Sequence, residues 1–169
     1  DIADDKKKLF LNEFDNLSKS HHPNIVQIFG YVEEPFIIVM EYLSQHNLLF
    51  HIKKNRLSLV NKIDICLDIL KGVEYLHSRE PQSIIHRDLK PQNIILSASK
   101  SAKIADFGLS KLLKDKNTKD NLSLSETNMP INISNEDLTK IVGTKRYMSP
   151  ELSKQLKYNQ KIDIWSVGI

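Results

Sequence analysis

His86-Arg87-Asp88-Leu89-Lys90-Pro91-Gln92-Asn93 is the stretch on which the reading of this 169-residue chain turns. It lies between two apolar runs, Ile84-Ile85 and Ile94-Ile95-Leu96. Short apolar runs of this kind serve as buried anchors, so the polar groups between them are pinned at both ends. Thirteen residues past Asn93 comes Asp106-Phe107-Gly108, directly after another short run, Lys103-Ile104-Ala105. Two carboxylates, a carboxamide and a lysine thus stand on adjacent rigid loops. Asp and Asn oxygens suit a hard cation such as Mg²⁺, which commonly bridges to substrate phosphates. One Asp can stay off the metal and accept a hydroxyl proton, and Lys90 can balance charge developing on a phosphoryl group.

Outward from that loop, residues 58 to 77 read as a helix. Leu59, Ile63, Cys66, Leu70 and Val73 step by 4, 3, 4 and 3, with Ser58 available as the N-cap. Further upstream, Ile25 to Tyr31 and Phe36 to Tyr42 are strand-like runs joined by Glu33-Glu34-Pro35, which predicts a hairpin. Residues 4 to 19 carry Phe10, Phe14 and Leu17 at helical spacing. Glu13 shares that stripe, either as a carboxylate at its edge or as an acid aimed inward at a cation. Downstream, residues 111 to 140 turn polar with little periodicity. The apolar stretch Ile162 to Ile169 is expected to begin a buried helix.

Bulk composition excludes several classes. With 40% hydrophobic and 27% charged residues the chain is neither disordered nor collagenous. Net charge is +3 and the basic residues form no arm, so nucleic acid is not expected as a partner. The longest apolar run, Phe36 to Met40, is far too short to span a bilayer. Cys66, expected on the apolar face of its helix, cannot form an internal disulfide and fits a reducing compartment. The five glycines are too widely spaced for G-x-G-x-x-G or a Walker A loop.

Taken in order, the motifs resemble those of a eukaryotic protein kinase. His86 to Asn93 matches H-R-D-L-x-x-x-N, Asp106 to Gly108 is D-F-G, and Ser149-Pro150-Glu151 falls at A-P-E with Ser for Ala. Glu13 falls where the family places a helix glutamate before His22-Pro23-Asn24-Ile25-Val26, and Asp163 to Gly168 resembles the start of a central helix of the large lobe. The resemblance implies Asp88 as catalytic base, Lys90 on the transferring phosphate, and Asn93 and Asp106 as Mg²⁺ ligands. It implies that Glu13 pairs with an ATP-positioning lysine and that Met40 is the gatekeeper. Glu41, Tyr42 and Leu43 would then form the hinge that meets adenine, with Leu96 as the pocket floor. Leu17, Ile28, His86 and Phe107 would stack as a spine, and Asp163 would tie its helix to the catalytic loop.

Lys90, together with Gly143-Thr144-x-x-Tyr147-x-x-Pro150-Glu151, is similar to the Ser/Thr type, and the run through Phe29-Gly30-Tyr31 to its tyrosine-kinase-like branch. Gln45-His46-Asn47-Leu48 departs from the Gly-Ser-Leu of many relatives. Asp106 to Glu151 is long for an activation segment. Arg87 would receive a phosphate there, with Thr139 as the expected regulatory site, placed by an upstream kinase or by autophosphorylation.

The fold class expected is α+β, two-lobed and kinase-like, truncated at both ends. Residues 1–43 would belong to the small lobe and 44–169 to the front half of the helical lobe. The activity expected of the parent is transfer of the ATP γ-phosphoryl to Ser or Thr hydroxyls of a protein substrate, with ATP and Mg²⁺, in a cytoplasmic setting. The chain alone is expected to be inactive, since it holds neither the glycine loop nor the ATP lysine. The alternative is a pseudokinase that keeps the fold as a scaffold; a small-molecule kinase fits the Gly143 to Glu151 segment less well.

Overall fold

A computed structural model describes residues 18–19, 21–32, 37–80, 83–107, 111–113, 145–154 and 156–169. The expected helix over 4–19, apart from its last two residues, lies outside them, as do Glu13, Thr139 and Thr144. Among the described residues, helices and short strands make an α+β architecture with three two-stranded sheets. The chain divides into two compact units. One gathers the described residues up to Gly72 together with Pro91–Ala105, and the other gathers Val73–Lys90 with the described residues from Asp106 onward.

In the first unit the β-branched and aromatic runs form β1 (Ile28–Val32) and β2 (Ile37–Met40), paired antiparallel with Tyr31 opposite Ile38. The register shifts between Ile28 and Gly30, leaving Phe29 as an exposed bulge residue. The strand starts later than the apolar run does. Val26 N–H donates to the Ile104 carbonyl at 2.9 Å, and Ile104 N–H donates to that of Asn24 at 2.9 Å. The run Ile25 to Tyr31 is therefore divided between two partners, which its uniform texture does not disclose.

Helix α1 (Leu48–Lys53) begins at Asn47, whose side-chain oxygen accepts from Phe50 N–H. Helix α2 (Leu59–Ser78) begins as its sequence predicts, with Ser58 Oγ accepting from Asn61 N–H at 3.1 Å. Its buried face shares only Val73 with the expected stripe. Ile65, Ile69, Val73 and Leu76 are buried, whereas Leu59, Ile63 and Leu70 are exposed. Cys66 is exposed too, which corrects its placement on a buried apolar face. The helix is apolar around much of its girth, so periodicity allows two stripes and the tertiary partner selects one. Gly72 marks that selection. A Cβ there would stand 2.9 Å from the Asn24 carbonyl oxygen and 2.8 Å from Ile104 Cδ1, so only glycine lets the helix approach this closely.

Strands β4 (Ile94–Leu96) and β5 (Ala102–Ile104) form a hairpin beneath it. Asp68 of α2 secures the turn by accepting from Ser101 Oγ at 2.8 Å and Ala102 N–H at 2.9 Å.

In the second unit β3 (Ser83–Ile85) pairs antiparallel with β6 (Lys111–Leu113), a strand not anticipated in the polar run after residue 110. Helix α3 (Pro150–Ser153) is capped by the fully buried Ser149, whose Oγ accepts from Leu152 N–H. The hydroxyl that distinguishes Ser149 from the family's alanine thus has a partner. Helix α4 (Lys161–Gly168) buries Ile162 and Asp163, while Ile164 and Trp165 remain about half exposed. The expectation of a buried helix holds for one of its faces. Ile85, Leu152, Tyr158 and Ile162 make the core of this unit, with Met148 against it.

Candidate active site

The loop after β3 is anchored by Ile84 and Ile85, both fully buried, and by Leu89, 3% exposed. Its shape depends on a carboxylate from α4. Asp163, 1% exposed, accepts from the backbone N–H of His86 at 2.9 Å and that of Arg87 at 2.9 Å. The same carboxylate accepts from His77 Nε2 at 2.8 Å. Two successive amides can converge on one acid because Arg87 adopts φ 69°, in the left-handed region. A bulky residue held there costs on the order of 1–2 kcal/mol, which the bonds to Asp163 offset.

Burial is complete at His86, whose Nδ1 faces Asp88 N–H at 3.3 Å and whose ring lies 5.1 Å from that of Phe107. With Nδ1 accepting, a neutral His86 carries its proton on Nε2. The Arg87 guanidinium donates to the Tyr158 hydroxyl at 3.2 Å. Asp88 and Lys90 meet directly, Nζ donating to Oδ2 at 2.5 Å, with both side chains largely buried. Asp106 also takes a left-handed conformation, at φ 63°, and its residue is exposed. Glu151 is half-buried in the first turn of α3.

Asn93, 6% exposed, belongs to the first unit, on the 3-10 turn Pro91–Asn93, and its carbonyl accepts from Ala105 N–H at 2.8 Å. Leu96 is buried on β4, Met40 is about half exposed at the end of β2, and Leu43 is half-buried. Glu41 does more than its sequence position implied. Its carboxylate accepts from Lys103 Nζ at 2.6 Å and Gln27 N–H at 2.7 Å, joining the residue after β2 to β5. Neither that pair nor His77 was singled out from sequence, since each contact joins residues more than 60 positions apart. His21 and His22 are engaged locally, with Gln27 Oε1 and Asn24 N–H respectively.

The structure brings Asp88 to Lys90, and Asp163 to the loop backbone. Asn93 offers a carboxamide oxygen and Asp106 a carboxylate, each a donor of the type that a hard divalent cation takes. Among the described residues no group of three or more His, Cys, Asp or Glu forms a metal cluster. No helix among them is long and apolar enough to cross a membrane.

A family model described as "Protein kinase domain" matches residues 1–169. The chain is 39% identical to the serine/threonine-protein kinase VIK of Arabidopsis thaliana, over 99% of this chain and 36% of that protein. It is 37% identical to the serine/threonine-protein kinase shk2 of Schizosaccharomyces pombe, over 97% of this chain and 25% of that protein. A third relative is the serine/threonine/tyrosine-protein kinase HT1 of A. thaliana, 37% identical over 95% of this chain and 37% of that protein. The chain thus spans between a quarter and two fifths of the length of these relatives.

Proposed function

Because the chain belongs to the protein kinase domain family, with that family's α+β fold, we propose that it serves the transfer of the ATP γ-phosphoryl group to a Ser or Thr hydroxyl of a protein substrate. The observation that carries this reading is the Asp88–Lys90 pair, held at 2.5 Å on a loop braced by Asp163. In the reaction the substrate oxygen attacks the γ-phosphorus, the bond to the β–γ bridging oxygen breaks, and ADP leaves. Asp88 accepts the hydroxyl proton, and Lys90 both orients Asp88 and offsets charge on the moving phosphoryl group. Asn93 and Asp106 would hold Mg²⁺, which when bound neutralises phosphate charge. Backbone groups of Glu41 and Leu43, beside Met40 and over Leu96, would take the adenine, and Glu13 would pair with a lysine that positions the phosphates.

Residues 1–43 stand for part of the small lobe in this reading and 44–169 for the front half of the large one. Arg87 would receive a phosphate on Thr139, added by an upstream kinase or by the protein itself, with Thr144 near the acceptor hydroxyl and Glu151 closing the segment. The work would be intracellular, in line with relatives such as a calmodulin-binding receptor-like cytoplasmic kinase of A. thaliana. The test is phosphate transfer from labelled ATP in the protein as its own gene encodes it. Asp88→Asn is expected to lower kcat at least about 10²-fold with little change in ATP affinity. Undiminished transfer by that variant, or none by the wild type, would reject the reading.

A further inference from the structure

Between Glu41 and Asp64 the chain runs for 22 residues without a single Asp or Glu, yet carries Lys53, Lys54, Arg56 and Lys62. That window holds a formal +4 against +3 for the whole chain, so all other residues together carry −1. The excess is focused by the end of α1. Asn55 takes φ 50°, its N–H donates to the Ile52 carbonyl, and Arg56 N–H donates to that of His51. These two bonds define a Schellman ending, in which the residue at the Arg56 position commonly makes an apolar contact with the last turn. Here an arginine occupies it, with its guanidinium carbon 5.4 Å from the centre of the Phe50 ring. His46 packs on the same ring at 4.0 Å, and His51 lies edge-on to it at 5.6 Å.

Lys100 joins from the neighbouring turn. It stands at φ 65° between β4 and β5, and α1 packs on β4. Burial, and then the charges of Arg56, His46 and Lys100, hold the His51 ring below its usual protonation range, while a backbone hydrogen bond to His46 acts the other way. His46, Arg56 and Lys100 are exposed, and no ion pair among the described residues includes them. An apolar residue at position 56 would satisfy the cap equally well, so the fold does not require this arginine. Places where a local rule is set aside are where function is to be sought.

We propose that the cations gathered around Phe50 form a docking site for an acidic peptide segment of a protein substrate. Arginine matches carboxylates bidentately, and stacking on Phe50 pre-orders its fork. The patch is confined to one short helix and one turn, whereas nucleic acid or an anionic membrane calls for a wider basic field. A second attachment point of this kind raises the local concentration of the acceptor hydroxyl. The proposal rests on the protein-kinase reading only for the choice of partner. Binding is measured without ATP, so its failure is distinguishable from a failure of phosphotransfer.

The test titrates the chain with a short labelled peptide of alternating Glu and Ser at low salt, followed by fluorescence anisotropy. Binding is expected below about 1 mM. Arg56→Leu and Lys100→Gln should each weaken it about three- to fivefold, and together about tenfold, with thermal melting of the leucine variant unchanged. Lys62→Gln removes the same charge from α2, outside the Phe50 cluster, and should leave affinity within about twofold. The proposal is overturned by absence of binding, by equal loss in Lys62→Gln, or by retention in the double variant. Equal or tighter binding of a Gln-for-Glu peptide, a single-stranded oligonucleotide or phosphatidylserine vesicles overturns it as well.

Discussion

Asp163 and His77 meet at 2.8 Å across 86 positions of sequence, and the same carboxylate holds the two amides that shape the loop of Asp88. An acid that is 1% exposed can be accommodated in such a place because both of its oxygens meet donors. Asp163→Asn keeps the size but turns one oxygen into a donor facing an N–H. It should cost about 2–4 kcal/mol of stability, read as a shift of the denaturant midpoint at constant slope. A loss below about 0.5 kcal/mol would mean that the loop keeps its shape without the acid.

At Gly72 two effects oppose each other. Alanine is the better helix former by about 1 kcal/mol. Its Cβ, however, would meet a backbone oxygen at 2.9 Å, and backbone cannot swing aside as a side chain can. Gly72→Ala should therefore be net destabilising by about 1–3 kcal/mol, visible as a lower melting temperature. A stabilised variant would place α2 farther from Asn24 and Ile104 than described.

His51 gives stability a pH dependence of defined sign. Its folded pKa lies below the ordinary 6.5, first through burial and then through the charges of Arg56, His46 and Lys100. The folded chain then binds fewer protons than the unfolded one, so stability rises with pH from the folded pKa to 6.5 and is lost on acidification through that window. Melting wild type and His51→Gln at pH 7.5 and 5.5 checks this: the wild type should lose ground relative to the variant at the lower pH. A constant difference between the two pH values would contradict the assignment.

What could be read from sequence follows the range of the interactions. The start of α2 at Ser58, the β1–β2 hairpin and the anchoring of the loop after β3 all rest on neighbours within a few residues, and local chemistry disclosed them. The buried face of α2 did not follow, because Leu59, Ile63 and Leu70 repeat as regularly as Ile65, Ile69 and Leu76. Only the approach of Asn24 and Ile104 to Gly72 separates the two stripes. The partition of Ile25 to Tyr31 between β5 and β2 was hidden for the same reason. Asp88, Lys90, Asn93 and Asp106 were legible as an ordered set of motifs. The histidine, tyrosine and lysine that meet Asp163, Arg87 and Glu41 left no periodic trace.

The left-handed Arg87 has a consequence for how the molecule is made. A residue of that size seldom visits φ 69° unaided, and its restraint is Asp163, 76 positions later. At a synthesis rate of about 5–20 residues per second, the acid follows the arginine after about 4–15 s. For those seconds the growing chain carries the loop of Asp88 without the group that shapes it. The order of synthesis thus separates the turn from its restraint, and a ribosome that stalls before α4 holds a chain in which Arg87 has nothing from Asp163 to keep it left-handed.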